Sequence, residues 1–332
     1  MSAPIRATGI GSWPGSSARE AVITVRDLLL DGEGSGIPYA PETPGRGPGA
    51  DLLGRGAGLL VDLAVDLQPS GWRLVDRPGR DAARTAALHR EDLDELAEAY
   101  DGYTGPLKLQ VAGPWTLAAG LELTRGERAL VDPGATRDLH GSLAEGIRTY
   151  AADVTRLVPG AQLILQLDEP SLPAVLAGRL PTASGYGRVR AVDPALVRDG
   201  LREVCGALDV PVVVHCCADD APLPLLRECG ANALAVDVTA ARPAVWESLA
   251  VALESGIGVY AGIFATDAVS PDVTGAVRRV LAAAEAVGLG SAELAALTLT
   301  PACGLAGATV GQARAIQRAT RDAAEELAQA VA

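Results

Sequence analysis

Short, almost unbroken apolar runs recur along the chain, and several end abruptly in ionisable or sulfur-bearing side chains. Leu163-Ile164-Leu165-Gln166-Leu167 leads into Asp168-Glu169-Pro170, and Val212-Val213-Val214 leads into His215-Cys216-Cys217. A segment apolar on both faces reads as a parallel strand covered on both sides, with its chemistry at the carboxyl end. Between such runs the spacing changes to a helical period. Residues 194–208 open with Asp193 as cap and Pro194 in the first turn, then place Val197, Leu201, Val204 and Leu208 on one stripe.

Taken in order, the pattern predicts strands at 6–12, near Glu42, at 107–111, from Leu163, at 211–215, 233–237, 258–264 and 294–300. Helices are predicted after residue 16 or 17, with Val22, Val25, Leu28 and Leu29 buried, and over 138–157, 194–208, 222–229, from about 243, after Ser270 and over 309–328. The stretch 32–54 is rich in Gly and Pro, the span 59–100 reads as helix broken at 68–71, and 171–193 is long enough for a lid. Eight strand candidates alternating with helices predict an α/β protein, a single (β/α)8 TIM barrel occupying residues 1–332 as one domain.

Composition narrows the function. The 332 residues are 48% hydrophobic but only 3% aromatic, so Leu, Val and Ala must fill the core. A net charge of −13 argues against a nucleic-acid surface, which needs clustered Lys and Arg. The first residues lack the apolar core of a signal peptide, and no apolar run reaches membrane-spanning length. Five cysteines, an odd number, then favour free thiols or metal ligands in a cytoplasmic protein.

In a barrel of this kind every strand's carboxyl end lies on one rim. Four such residues form a zinc-competent set: His215 and Cys217 after one strand, Asp237 after the next and Cys303 after the last. His-x-Cys puts both donors on the same side of an extended segment. The bland alternative is that the cysteines are small buried hydrophobes, and Cys205, Cys229 and Cys216 are read that way. His89 and His140, on or beside helices, read as core or solvated histidines.

A carboxylate among thiolates would be the ligand most easily displaced by an incoming sulfur, and a metal-bound thiol is deprotonated at neutral pH. Asp168 and Glu42 could flank an ammonium, while Ser12 and neighbouring amides could hold a carboxylate. Glu42 as a solvated loop residue and Asp168 as an ion-pair partner are the structural alternatives. Thiol, amine and carboxylate together describe homocysteine, and the chemistry is thiol alkylation.

On these residues the chain resembles the catalytic carboxyl-terminal barrel of the cobalamin-independent methionine synthase family, within the uroporphyrinogen decarboxylase-like superfamily. Ile10-Gly11-Ser12-Trp13-Pro14 looks like that family's substrate loop, Gln166-Leu167-Asp168-Glu169-Pro170 like its Gln-x-Asp-Glu-Pro segment, His215-Cys216-Cys217 like its His-x-Cys motif and Pro301-Ala302-Cys303-Gly304-Leu305 like its Pro-x-Cys-Gly-Leu. The resemblance implies zinc held by His215, Cys217, Asp237 and Cys303, homocysteine held by Ser12, Glu42 and Asp168, and methyl transfer to its thiol.

Three positions depart from the family pattern: Asp237 replaces a Glu, Val269 stands where a general-acid His aligns, and Gly120 where a folate-stacking Trp aligns. With the family's amino-terminal domain also missing, a methyl-corrinoid protein is the expected donor, because its cobalt leaves without a proton. Transfer to another small thiol, and a non-catalytic barrel binding zinc or a metabolite, are the competing readings.

Overall fold

The computed structural model describes residues 5–31 and 35–332, so the opening four residues and the start of the Gly/Pro-rich stretch at 32–34 lie outside the described residues. Among the described residues nine strands form in chain order: β1 (Arg6–Ala7), β2 (Ala64–Gln68), β3 (Gly71–Val75), β4 (Gly105–Ala112), β5 (Ala161–Asp168), β6 (Val212–His215), β7 (Ala233–Asp237), β8 (Gly258–Phe264) and β9 (Leu297–Pro301). Seven of them make one parallel sheet in the order β1-β9-β8-β7-β6-β5-β4. The fold is therefore α/β, with helices joining successive parallel strands.

The two outer strands of that sheet share a neighbour. Residues 35–42 run beside both, with parallel bridges Ala7↔Gly36, Ser12↔Glu42 and Tyr39↔Lys108. Ile37 N donates to Ala7 O at 2.7 Å, and Lys108 N to Pro38 O at 2.9 Å. The strand expected near Glu42 is thus present as extended backbone with isolated bridges. The prolines at 38 and 41 lack the N–H groups a continuous ladder needs.

Alternation along each strand separates two environments. Leu107, Leu109 and Val111 of β4 pack into the large cluster under the helices, whereas a small apolar cluster of Ile10, Val213, Ala233, Ala235 and Tyr260 sits on the sheet's inner face with Ile164 against it. Above that cluster, toward the strands' carboxyl ends, the inner face turns polar. Register sets Lys108 beside Ile164, Gln110 beside Gln166, Ala112 beside Asp168 and Asp168 beside His215.

The helices bear out the periodic reading where caps were visible. Ser17 caps Ala18–Leu30, with Val22, Val25, Leu28 and Leu29 buried, and Asp193 caps Pro194–Cys205, which stops short of the expected 208 and leaves Leu208 half-buried beyond its end. Two expectations are corrected. The broken helix over 59–100 is a helix Leu52–Leu59, the hairpin β2–β3 and a helix Arg80–Ala99, because the break at 68–71 is a hairpin turn closed by Gly71 at φ +137°. Helix Val273–Ala286 takes Asp272 as its cap in place of Ser270. Among the described residues no helix is long and apolar enough to cross a membrane.

Candidate metal and substrate site

His215 ends β6 on the inner face, directly beside Asp168 at the end of β5. Its Nδ1 donates to Asp168 Oδ1 at 2.9 Å, which turns Nε2 the other way, where it is buried with no hydrogen-bond partner. Cys217 follows two residues on, and Cys303 stands two residues past β9. The Cys217 and Cys303 sulfurs are 3.2 Å apart. Donor atoms of His215, Cys217 and Cys303 all lie within 4.8 Å of one another. A buried imidazole nitrogen without a partner beside two thiols is the chemistry of a zinc donor set, and a carboxylate on the far ring nitrogen is how metal-bound histidines are oriented. The residues present fit the metal.

Electrostatics agree with that grouping. Burial works against charge on His215, but the Asp168 carboxylate and the Cys303 sulfur outweigh it and raise its pKa to about 9. The two thiols shift in opposite directions: the Cys217 hydrogen bond and the imidazole hold Cys303 down at about 5, while the Cys303 hydrogen bond and burial push Cys217 up.

Asp237 does not join them. By alternation it lies on the inner face of β7, but its Oδ1 accepts from Thr239 N at 2.8 Å and Thr239 Oγ1 at 2.7 Å. Aspartate commonly closes such a turn on the backbone two residues ahead. The expected fourth ligand is therefore engaged in its own loop, and the converging donors number three.

The substrate candidates do come together. Glu42 is buried and forms an ion pair with Arg55, Oε1 to Nε at 3.3 Å. Burial drives its pKa up to about 7, and Asp168 adds to the rise while Arg55 and Lys108 oppose it. Glu42 is thus a core carboxylate, not a solvated loop residue. Asp168 Oδ1 is shared by His215 and Gln166 Nε2, leaving Oδ2 without a protein hydrogen bond among the described residues.

Ser12 bridges Glu42 on one side and the Cys303 loop on the other: Trp13 N donates to Glu42 O at 2.7 Å, and Leu305 N to Ser12 O at 2.8 Å. Gly304 lets the two loops approach closely, since a Cβ at that position would stand 2.1 Å from Ser12 Oγ and make the hydroxyl turn away. Three motifs distant in sequence meet in this contact.

Glu169, adjacent to Asp168, has a different role. Its carboxylate accepts from Trp115 N, Thr116 N and Thr116 Oγ1 at 2.7–2.9 Å, holding the start of helix Pro114–Gly120. Gly113 has no room for a Cβ, which would lie 2.4 Å from Glu169 Oε1. Trp115 is buried, its Nε1 donating to Val197 O at 2.9 Å, so its ring is not free to stack on a ligand. At Gly120 a Cβ would meet Leu53 at 2.5 Å, and Val269 is 79% exposed.

Sequence reasoning missed Arg55 and gave no role to Gln166, which it quoted only within a motif, or to Lys108. The last two were open to the period-two rule, because Lys108-x-Gln110 and Gln166-x-Asp168 place polar groups at every second position of otherwise apolar strands. Arg55 carried no signal, since a helical arginine is ordinarily solvated.

An α/β sheet that gathers a His/Cys/Cys donor cluster and buried carboxylates at the carboxyl ends of its strands has the layout of an enzyme of the α/β class. Residues 5–326 match the family model described as the catalytic domain of cobalamin-independent synthase, and the chain belongs to that family. Among solved structures, a B12-independent methionine synthase from Shewanella sp. W3-18-1 in complex with selenomethionine is similar at TM-score 0.67 and 13% identity, covering 99% of each chain. At that identity the likeness shows the fold. A dihydrodipicolinate synthetase-like chain from Pseudomonas aeruginosa gives a TM-score of 0.38 at 13% identity, covering 100% of this chain and 80% of the other, too distant to argue from. No protein of curated function matches.

Proposed function

We propose that this protein is a zinc-dependent methyltransferase that converts homocysteine to methionine. The observation that carries the reading is the convergence of His215, Cys217 and Cys303 donor atoms within 4.8 Å, with the orphaned His215 Nε2 among them. Three protein ligands leave a coordination position open, as zinc sites that do chemistry require. Zinc bound there would lower the pKa of a substrate thiol so that it is present as thiolate near neutral pH. Asp168 Oδ1 keeps the imidazole oriented, while its Oδ2 and the Glu42 carboxylate take the substrate ammonium. Ser12 and the amides of its loop take the carboxylate. The sulfur then forms its bond to the methyl carbon as the donor's bond to that carbon breaks, and the thiol proton goes to solvent when the thiol binds.

The same reading takes residues 1–332 as one (β/α)8 barrel, with 35–42 as the eighth strand; the bridges from that segment to β1 and β4 support it. It also takes the protein as cytoplasmic, which five free cysteines favour. On the donor, exposed Val269 offers no proton to a leaving nitrogen, which favours a methyl-corrinoid protein, whereas the family's cobalamin-independent description gives that donor no support. The assay therefore has two arms. Purified protein is analysed for zinc and tested for homocysteine-dependent methionine formation with methyltetrahydrofolate and with methylcobalamin. The reading expects bound zinc, lost in Cys303→Ser, and methionine in at least one arm. Zinc-free protein that gains none on addition, or methionine formation indifferent to Cys303, would overturn it.

A further inference from the structure

Lys108 is the chain's only lysine; the 27 other basic residues are arginines. It is also one of the most deeply placed side chains, 0% exposed on the inner face of β4. Burying an ammonium is expensive unless its hydrogen bonds and charge are met. Its Nζ donates to Ile10 O at 2.8 Å and reaches Gln110 Oε1 at 3.4 Å, and it lies 5.2 Å from the centre of the Tyr39 ring. Gln166 Nε2 donates to the same Ile10 carbonyl, also at 2.8 Å. Ile10 begins the turn that carries Gly11 and Ser12, so two core side chains pin the backbone of the proposed carboxylate-binding loop at one oxygen.

We propose that Lys108 is a positioning residue for the homocysteine site: it anchors the Ser12 loop through Ile10 and adds a buried positive charge, beside that of Arg55, to the carboxylates of Glu42 and Asp168. This rests on the function proposed above. Arginine would not serve, because its wider planar fork needs more room and more acceptors than a compact ammonium with three donors. A chain that uses arginine at every other basic position keeps lysine where only lysine fits. Burial lowers the Lys108 pKa to about 7, while Asp168 and Glu42 pull it upward. The groups facing it are Glu42 on the 35–42 segment, Asp168 on β5 and the ring of Tyr39, whose own pKa burial raises. Binding a substrate ammonium to the two carboxylates removes part of that upward pull.

Because the lysine is single, protein grown on [6-13C]lysine gives one side-chain resonance. Its position is followed from pH 6 to 9 in zinc-loaded protein, with and without homocysteine, and binding is measured in parallel by calorimetry. The expected result is that homocysteine moves the resonance and lowers its titration midpoint. In Lys108→Met, zinc content should be unchanged while homocysteine binds at least about tenfold more weakly, the loss of one charged hydrogen bond. If the unsubstituted protein binds homocysteine but the lysine signal does not move, or Lys108→Met binds within twofold, the inference is overturned and the function stands. Where Lys108→Met fails to fold, the labelled native protein decides alone. No homocysteine binding to the zinc-loaded native protein overturns both.

Discussion

Glu42→Gln should make the protein more stable and less able to bind substrate. In the native fold Glu42 is buried, and its pKa rises from an ordinary 4.5 to about 7 chiefly because burial penalises the charge. At 1.36 kcal/mol per pH unit, keeping Glu42 ionised costs the native state ~3 kcal/mol. The sign follows from linkage: between 4.5 and 7 the native protein holds a proton that the unfolded chain has released, so this group's contribution to stability is full below 4.5 and is lost as pH rises through 7. Glutamine mimics the protonated carboxyl and escapes the loss, while Arg55 keeps its ion pair with Asp92. Urea unfolding of both proteins at pH 4 to 8 tests it. The stability difference should be near zero at pH 4, grow in favour of Glu42→Gln with a slope of up to ~1.4 kcal/mol per pH unit, and level off above pH 7 at up to ~3 kcal/mol. Taking the difference cancels the parallel contribution of Glu169, also raised to about 7 by burial. Homocysteine binding should fall in the same variant. A flat difference curve, or a Glu42→Gln protein less stable at pH 8, would refute the claim that this carboxylate is held charged at a cost to the fold.

Two further substitutions separate the parts of the site. Asp168→Ala removes the acceptor that fixes His215 and should weaken zinc binding about 10- to 100-fold, measured by competition with a chromophoric chelator; unchanged affinity would deny the His215 orientation its role. Asp237→Ala should leave zinc content unchanged, because its carboxylate serves Thr239; loss of zinc would return Asp237 to the ligand set.

Much of the site was legible because strand ends are legible. An apolar run that stops at a polar or sulfur-bearing residue marks the rim, and His215, Cys217, Cys303 and Asp168 were picked out as candidates that way; the fold brings His215, Cys217 and Cys303 together, with Asp168 on the imidazole. What escaped depended on facts a linear pattern does not carry. Asp237 occupies the right strand position, but its rotamer is decided by a hydrogen bond to Thr239 two residues on. The hairpin β2–β3 was hidden because Pro69-Ser70-Gly71 reads equally as a helix break or a turn. The 35–42 segment pairs through scattered bridges that prolines interrupt, so its strand character is set by its neighbours more than by its own sequence. Arg55 and Lys108 are buried charges, and burial of a charge is a property of what surrounds it.

X-ray absorption at the zinc edge addresses the central claim most directly. In the purified protein the account predicts two sulfur and one imidazole nitrogen neighbours, with a further sulfur joining the shell when homocysteine is added. A zinc shell without two sulfurs, or one that homocysteine leaves unchanged, would contradict it.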